Sequence, residues 1–206
     1  MLNNALEYIR NKYNFDFTQK PAFVIPGGRG EGGLATLFKE LGVQTGVEIG
    51  VLKGEYTQIL CQTIPGLKLY GVDPWIVYPD YYDVSGGQPY FDTIYEEAKQ
   101  RTKDYDCTLI KKFSMDAVKD FEDESLDFVF IDGNHEFVHV AEDIHYWGKK
   151  IKKGGIISGH DYRRGGFKSP CRVNVKDVVI GYTYTNGINP WFIISGDHHQ
   201  SWMWIK

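Results

Sequence analysis

The chain has 206 residues, a formal net charge of -4 and an isoelectric point near 5.9. A chain of this length fits one domain, here residues 1–206, with a substantial core. The acidic balance argues against a general nucleic-acid-binding protein, whose surface would be basic. Because no stretch approaches the roughly 18 apolar residues that a membrane span needs, we expect no membrane association.

Cysteine content and the N-terminal sequence bear on the cellular compartment. Cys61, Cys107 and Cys171 are odd in number, and no two of them form a CxxC pair. The first twenty residues lack the apolar segment of a secretory signal. We therefore expect reduced thiols and a cytoplasmic protein.

Residues 1–33 are interpreted as an N-terminal extension. Weak apolar periodicity predicts a short helix near its start, and residues 26–33 then hold five glycines in eight positions. This run lacks the Gly-Lys-Ser/Thr ending of a P-loop, and no convincing strand precedes it. We interpret it as a flap or a connector. After it, Leu34, Leu37, Phe38 and Leu41 recur at helical spacing, and Gly42 ends that predicted helix.

The next stretch carries the main evidence for a ligand. Residues 47–50 are β-prone and turn through glycines into a predicted helix at 55–63, which leaves backbone N–H groups free at a helix N-terminus. A second strand, 67–72, ends at Asp73, which lies 23 residues past Gly50. Acidic side chains at about this offset bind ribose hydroxyls in dinucleotide folds. Together these features indicate an adenosine-type ligand.

Residues 74–91 interleave aromatic side chains with prolines and glycines. A segment this long inside a compact domain is usually functional or disordered, and its aromatic content argues against disorder. We interpret it as a lid or a substrate wall; a hydrophobic cluster or a contact in a homo-oligomer are the alternatives. The aromatic residues are Trp75, Tyr78, Tyr81, Tyr82, Tyr90 and Phe91.

The rest of the chain continues to alternate between strands and helices and then changes pattern. The predicted elements are a helix at 92–103, a strand at 107–111, a helix capped by Ser114, a strand at 126–131, a helix from Phe137 closed by Gly154 and Gly155, a strand at 156–158 and a helix at 174–184. Two final β-runs, 191–194 and 201–205, read as an antiparallel hairpin. This order predicts an α/β, Rossmann-like, doubly wound sheet that is mostly parallel.

Polar residues follow two strands that should be neighbours. Asp132 ends the strand at 126–131, and His160 and Asp161 end the next one. Ligands bind at the carboxyl ends of parallel strands, so these side chains should share one crevice with His135. Asp132, His160 and Asp161 suit a divalent ion such as magnesium or manganese. His135 and His160 are the candidate general bases, and Asp132 completes the expected catalytic set.

These motifs, in this order, resemble class I S-adenosylmethionine-dependent methyltransferases, within them the small-molecule group known as methyltransferase family 24. The motifs that carry the resemblance are Glu48-Ile49-Gly50 with Gly54, Gly71-Val72-Asp73, Ile131-Asp132-Gly133-Asn134-His135, Gly154-Gly155-Ile156-Ile157 and Gly159-His160-Asp161-Tyr162. The resemblance covers about residues 34–206. It implies a sheet of about seven strands whose last strand is antiparallel.

The resemblance also implies roles for individual residues. Glu48, Gly50 and Gly54 would form the wall around the methionine and ribose portions of S-adenosylmethionine. Asp73 would bind the ribose hydroxyls, and Ser114 with Met115 would border the adenine. Trp75 and Asp132 are also assigned to the cofactor site.

The implied reaction is methyl transfer to a hydroxyl of a small acceptor such as a sugar, a polyketide or a phenol. A bound metal at Asp132, His160 and Asp161 would assist it, although relatives usually have an acidic residue where His160 stands. An NAD-dependent oxidoreductase is one alternative, but Gly50 is followed only by Gly54 and not by a full GxGxxG motif. The other is a non-catalytic adenosine-ligand-binding protein, against which the strand-end cluster argues.

Overall fold

The structure is a computed structural model that describes residues 4–18, 22–79, 86–165 and 172–206. The strands are β1 (Ala22–Pro26), β2 (Thr45–Ile49), β3 (Lys68–Val72), β4 (Cys107–Ile110), β5 (Leu126–Ile131), β6 (Ile151–Gly159), β7 (Trp191–Ser195) and β8 (Ser201–Ile205). The helices are α1 (Ala5–Tyr13), α2 (Leu34–Leu41), α3 (Glu55–Thr63), α4 (Gly87–Thr102), α5 (Ser114–Ala117), α6 (Phe137–Lys150) and α7 (Val175–Thr185).

The eight strands form one sheet in the order β1-β7-β8-β6-β5-β2-β3-β4. Every neighbouring pair is parallel except the two that involve β8. The predicted doubly wound, mostly parallel sheet with a C-terminal antiparallel hairpin is therefore confirmed. Strands β5, β2 and β3 lie side by side, so their carboxyl ends open on the same edge, where the order of connection reverses.

Apolar side chains of the central strands face helices on both sides of the sheet. In β5, Phe128 and Phe130 pack in one cluster with residues of α1, α2 and α3, while Val129 and Ile131 pack in another with α5, α6 and α7. All six residues of β5 are buried. This two-sided burial explains why the strand reads as a continuous apolar run in the sequence.

One polar side chain in β5 is buried with its own partners. The carboxylate of Asp127 accepts hydrogen bonds from the backbone N–H groups of Gln44 and Thr45 and pairs with the Lys152 ammonium at 2.8 Å. These contacts satisfy a charge that would otherwise be costly to bury. Asp127 therefore anchors the start of β2 against β5 and β6.

The prediction that no strand precedes the glycine run is wrong. Residues 22–26 form β1, which pairs in parallel with β7 at the edge of the sheet. Phe23 and Ile25 are buried and Val24 is half-exposed, the alternation expected of an edge strand. The N-terminal region therefore contributes the eighth strand, whereas the resemblance implied about seven.

The predicted closure of the long helix at Gly154 and Gly155 is also wrong. Helix α6 ends at Lys150, where Ile151 turns to extended backbone and starts β6. The two glycines lie inside β6, near a register shift between Leu126 and Phe128 of β5. A Cβ at Gly155 would stand 2.6 Å from the Asp127 carbonyl oxygen, so close strand approach requires a glycine there.

The helix that was predicted to follow the aromatic segment 74–91 begins inside that segment. Helix α4 begins at Gly87 and not at Asp92, so the end of this segment is helical. Tyr81 and Tyr82 lie outside the described residues, as does Cys171.

Cys61 and Cys107 are free thiols, as predicted. Among the described residues, no helix is long and apolar enough to cross a membrane.

Candidate active site

A cavity of about 710 Å³ opens at the carboxyl ends of β2, β3 and β5. Its position is the edge at which open α/β sheets bind ligands. Six of the predicted cofactor residues line it. They are Glu48, Gly50, Asp73, Ser114, Met115 and Asp132.

Gly50 is a glycine because two strand ends meet at it. Its φ of +88° is strained for other residues, and its N–H donates to the Val72 carbonyl at 2.9 Å. A Cβ at this position would lie 2.1 Å from the carbonyl oxygen of Asp132. The backbone of β2 therefore passes in direct contact with the residue that ends β5, and Gly50 fixes the distance between the two halves of the cavity.

The carboxylate of Asp73 organises the turn after β2. Oδ2 accepts hydrogen bonds from the backbone N–H groups of Val51 and Leu52 at 3.1 and 3.0 Å, and Oδ1 accepts one from the Trp75 N–H at 2.8 Å. Burial raises the pKa of Asp73, and these three backbone hydrogen bonds partly offset that rise. Since a carboxylate accepts about four hydrogen bonds, Oδ1 retains capacity for one more donor from the cavity.

Glu48 is a buried acid on the cavity wall, with only 2% of its surface exposed. Burial raises its pKa to about 8, the negative charge of Asp132 adds to the rise, and the Thr57 hydroxyl opposes it by donating a hydrogen bond to Oε2. Glu48 is therefore largely protonated near neutral pH. A cationic ligand group at this wall would favour its ionised form.

Two predicted cofactor residues are not among the described residues that line the cavity. Trp75 is fully buried, donates from Nε1 to the Leu52 carbonyl at 2.8 Å and packs on Tyr95. Gly54 precedes α3 with a φ of +75°, and a Cβ there would approach Ala98 of α4 at 3.2 Å. Both residues pack against the turn on the side away from the cavity and do not line the cavity.

Ser114 does not cap a helix, contrary to the prediction. Phe113 is the residue before α5, and it makes no side-chain capping bond. The Ser114 hydroxyl instead donates to the carboxylate of Asp143 on α6 and accepts from Trp147 Nε1 at 2.8 Å. Asp143 lines the cavity, and burial raises its pKa to about 7, opposed by the bond from Ser114. Asp143 was not predicted as a site residue from the sequence.

The strand-end cluster forms beside the cavity. His135 Nε2 lies 3.1 Å from Asp161 Oδ2 and 3.5 Å from Asp132 Oδ1. His160 Nδ1 lies 3.7 Å from both carboxylates. Of these residues, Asp132 and His135 line the cavity, while His160 and Asp161 stand behind them. The four predicted side chains are thus together, with His135 closer to the cavity than His160.

Asp161 is the electrostatic centre of this cluster. Burial alone would raise its pKa, but the neighbouring imidazoles of His135 and His160 and the pair with Arg163 Nε at 2.8 Å together hold that pKa well below its usual range. Its backbone has a φ of 51°, which is uncommon for a residue other than glycine. Strained backbone of this kind is concentrated at functional sites.

The donor atoms of the cluster also fit a divalent cation. One ligand atom each of Asp132, His135 and Asp161 lies within 4.8 Å of the other two. His160 Nε2 is buried and has no hydrogen-bond partner among the described residues. A set of imidazole and carboxylate donors suits manganese, iron or zinc better than magnesium.

Besides Asp143, three further residues of the cavity or cluster were not predicted from the sequence. Arg29, from the glycine-rich run, reaches Asp132 through Nη1 at 2.9 Å. His139, in the first turn of α6, lines the cavity. His199 of the hairpin turn lies 3.9 Å from Asp161. His139 could have been found because it lies four residues after His135, at the start of the predicted helix, whereas no local signal marked the other two.

Comparisons with known proteins identify the family. The profile of a family described as a methyltransferase domain matches residues 47–162, which is more than half of the chain. A protein of Acanthamoeba polyphaga mimivirus with no assigned function is 28% identical over 128 residues, which cover 58% of this chain. The chain spans only about half, 52%, of that relative's length.

Solved structures agree on the fold at low sequence identity. An O-methyltransferase from Bacillus cereus in complex with S-adenosylhomocysteine matches with a TM-score of 0.60 at 15% identity, over 100% of this chain and 90% of its own. A methyltransferase of Podospora anserina bound to the same molecule matches with a TM-score of 0.55 at 12% identity, over 84% and 76% of the two chains. The family match over residues 47–162 shows that the chain belongs to this methyltransferase family, and the strand order with the solved structures shows the fold of the class I S-adenosylmethionine-dependent enzymes.

Proposed function

We propose that the protein transfers the methyl group of S-adenosylmethionine to a hydroxyl oxygen of a small acceptor. The observation that carries this proposal is the shared cavity: Asp132 and His135 line the same space as Asp73 and Glu48. A volume of about 710 Å³ falls within the range of small-molecule sites. The acceptor group and the methyl donor would therefore meet at the end of β5.

The cofactor half of the site follows the strand ends. The free capacity of Asp73 Oδ1 would accept a ribose hydroxyl, and Glu48 would face the ammonium group of the methionine moiety. Ser114, Met115 and Asp143 lie on the α5–α6 side, where the adenine would bind. The relatives with bound S-adenosylhomocysteine support this assignment because they share the fold.

The acceptor half needs a group that takes a proton. A neutral hydroxyl is a weak nucleophile, and a positioned base contributes typically 10²–10⁴-fold to rate. His135 lines the cavity and is oriented from behind by Asp161 at 3.1 Å. His135 is therefore the proposed base, and Asp161 is its positioning residue. The low pKa of Asp161 keeps it anionic, which stabilises an imidazolium on His135.

A divalent cation would be held by Asp132, His135 and Asp161, with His160 behind them. When bound, such an ion would lower the pKa of a coordinated acceptor hydroxyl and would assist deprotonation. In that case His135 would be a ligand rather than the base, and the acceptor proton would leave to solvent. The protein's own contribution in both cases is to hold the acceptor oxygen beside Asp132 and in line with the methyl group.

Calorimetric titration with S-adenosylhomocysteine and with NAD separates the proposed cofactor from the main alternative. Micromolar binding of the former and none of the latter is expected. Transfer of radiolabelled methyl groups is then measured over a panel of sugars, phenols and matched amines. His135→Gln should keep the affinity for S-adenosylhomocysteine within about 3-fold of the wild type and should lower the rate of methyl transfer by roughly 10²–10⁴-fold. His145→Gln, at an exposed histidine of α6, is the control.

The results that would contradict the proposal are distinct. Binding of NAD instead of S-adenosylhomocysteine would refute the methyl donor. Transfer to amines but not to hydroxyls would refute the oxygen acceptor. Binding without transfer to any acceptor of the panel would favour a non-catalytic protein. The same titrations with manganese and magnesium, on the wild type and on Asp161→Asn, test the proposed ion by its binding heat.

A further inference from the structure

The glycine-rich run at 26–33 forms a loop that is tied to the hairpin turn between β7 and β8. The backbone N–H of Arg29 donates to Asp197 Oδ2 at 2.7 Å, and the N–H of Gly28 donates to the Ser195 carbonyl at 2.8 Å. The carbonyl of Arg29 accepts hydrogen bonds from the Tyr56 hydroxyl and from the Ala35 N–H, both at 3.0 Å. These bonds fix the backbone on both sides of the Arg29 side chain.

Close packing explains the glycines of this loop. A Cβ at Gly33 would lie 2.0 Å from the Gly28 carbonyl oxygen, and one at Gly27 would lie 2.4 Å from that of Gly32. A Cβ at Gly28 would meet the Asp197 carboxylate at 2.5 Å. The glycines therefore allow the loop to fold on itself and on the hairpin turn. The sequence was interpreted as a flap or a connector; the loop connects β1 to α2, and we interpret it as a platform.

This platform presents one cation to the cavity. The Arg29 guanidinium carbon lies 5.1 Å from the centre of the Tyr56 ring, and Nη1 lies 2.9 Å from Asp132 Oδ2. The Arg29 side chain is 33% exposed. Arg29 and Glu48 line the same cavity and carry groups of opposite charge type. The methionine moiety of the proposed cofactor carries the matching pair, an ammonium and a carboxylate.

We propose that Arg29 binds the carboxylate of the methionine moiety and thereby selects the intact amino-acid end of the cofactor. This inference rests on the proposed function. Glu48 receives the ammonium, and the planar guanidinium, held by its backbone and by the Tyr56 ring, receives the carboxylate in a bidentate manner. Binding of that carboxylate then competes with the Arg29–Asp132 pair for the guanidinium.

Lys53 is the alternative cation. Among the described residues, Arg29 and Lys53 are the two lysine or arginine side chains that line the cavity. Lys53 follows the turn held by Asp73, on the ribose side, whereas Arg29 lies with Glu48 and Asp132. An ammonium also lacks the fork that matches a carboxylate. Substitution of each residue in turn separates the two roles.

The test is a titration with two ligands that differ only in the amino-acid end. S-adenosylhomocysteine carries it, and 5′-methylthioadenosine lacks it. In Arg29→Gln, affinity for S-adenosylhomocysteine should fall by roughly 10- to 100-fold, while affinity for 5′-methylthioadenosine stays within about 2-fold. Lys53→Gln should preserve the ratio of the two affinities. Arg29→Lys, which keeps the charge but loses the fork, should recover part of the loss.

Each other outcome overturns the inference. Equal losses for both ligands in Arg29→Gln would assign Arg29 a structural role. If the ratio of the two affinities is the same as in the wild type, another group binds the carboxylate. A ratio that changes in Lys53→Gln alone would identify Lys53 instead. If the wild type binds neither ligand, the proposed function fails together with this inference, whereas normal wild-type binding with an unchanged ratio refutes only the role of Arg29. Should Arg29→Gln not fold, the ratio in Arg29→Lys decides.

Discussion

Glu48→Gln should change the pH dependence of stability in a direction that the structure fixes. Glu48 is buried and its pKa is raised to about 8 from an ordinary value of 4.5. The folded protein therefore keeps a proton on Glu48 between pH 5 and 7, where the unfolded chain has released it. A raised acid of this kind stabilises the fold at low pH, and that contribution is lost as pH rises through the folded pKa.

The size of the effect follows from the same values. Between pH 5 and pH 8, the wild type should lose about 3 kcal/mol of unfolding free energy at this residue, since each unit of pKa difference corresponds to about 1.4 kcal/mol. Glutamine has nearly the same shape, accepts the Thr57 hydroxyl bond and does not titrate. Glu48→Gln should therefore gain stability relative to the wild type as pH increases over this range.

Urea denaturation at pH 5, 6, 7 and 8 measures the difference. Asp143, whose pKa is raised to about 7, titrates in both proteins and cancels in the comparison. If the free energy of unfolding of the two proteins changes in parallel with pH, Glu48 is ionised in the folded protein and its pKa is not raised. A second readout is proton release on binding: near pH 7, S-adenosylhomocysteine should displace a proton from the wild type but not from Glu48→Gln.

Two further substitutions test the turn after β2. Gly50→Ala should lower the free energy of unfolding by more than about 3 kcal/mol, because a Cβ would overlap the Asp132 carbonyl at 2.1 Å and the φ is positive; thermal denaturation measures it, with exposed Gly181→Ala in α7 as a neutral or slightly stabilising control. Asp73→Asn should cost about 1–3 kcal/mol, because an amide nitrogen replaces an acceptor of backbone N–H groups. An Asp73→Asn protein as stable as the wild type but unable to bind nucleoside would show that the ligand contact dominates.

Much of the fold was predictable because the chain alternates long periodic segments with glycine turns. The apolar run of β5 and the hairpin at the C-terminus are both local patterns that two-sided burial and antiparallel pairing impose. The missed strand β1 is only five residues long and ends in Pro26, and its pairing with β7 joins residues far apart in sequence. Edge strands of this kind carry a weak local signal.

The residues of the site also divide into those that local sequence patterns mark and those that long-range contacts bring into place. Glu48 lies near the carboxyl end of β2, and Asp73 and Asp132 directly follow β3 and β5, so the topology alone brings them to one edge. Arg29 reaches the cavity only because β1 pairs with β7 and Asp197 holds the loop, a long-range arrangement that spacing does not reveal. Trp75 was misassigned for a related reason: an aromatic residue beside a ligand-binding acid reads as a wall, and only the three-dimensional packing shows that it faces inward.

Asp132 connects the two halves of the cavity by both its backbone and its side chain. Its N–H donates to the Ile49 carbonyl at 2.7 Å, its carbonyl abuts Gly50, and its carboxylate pairs with Arg29. All three contacts come from the side on which the methionine moiety would lie. A cofactor carboxylate that competes for Arg29 would therefore change the charge that Asp132 presents to the acceptor and to any cation. On this argument, the cofactor should bind before the acceptor, and binding of a divalent ion should tighten once the cofactor is present.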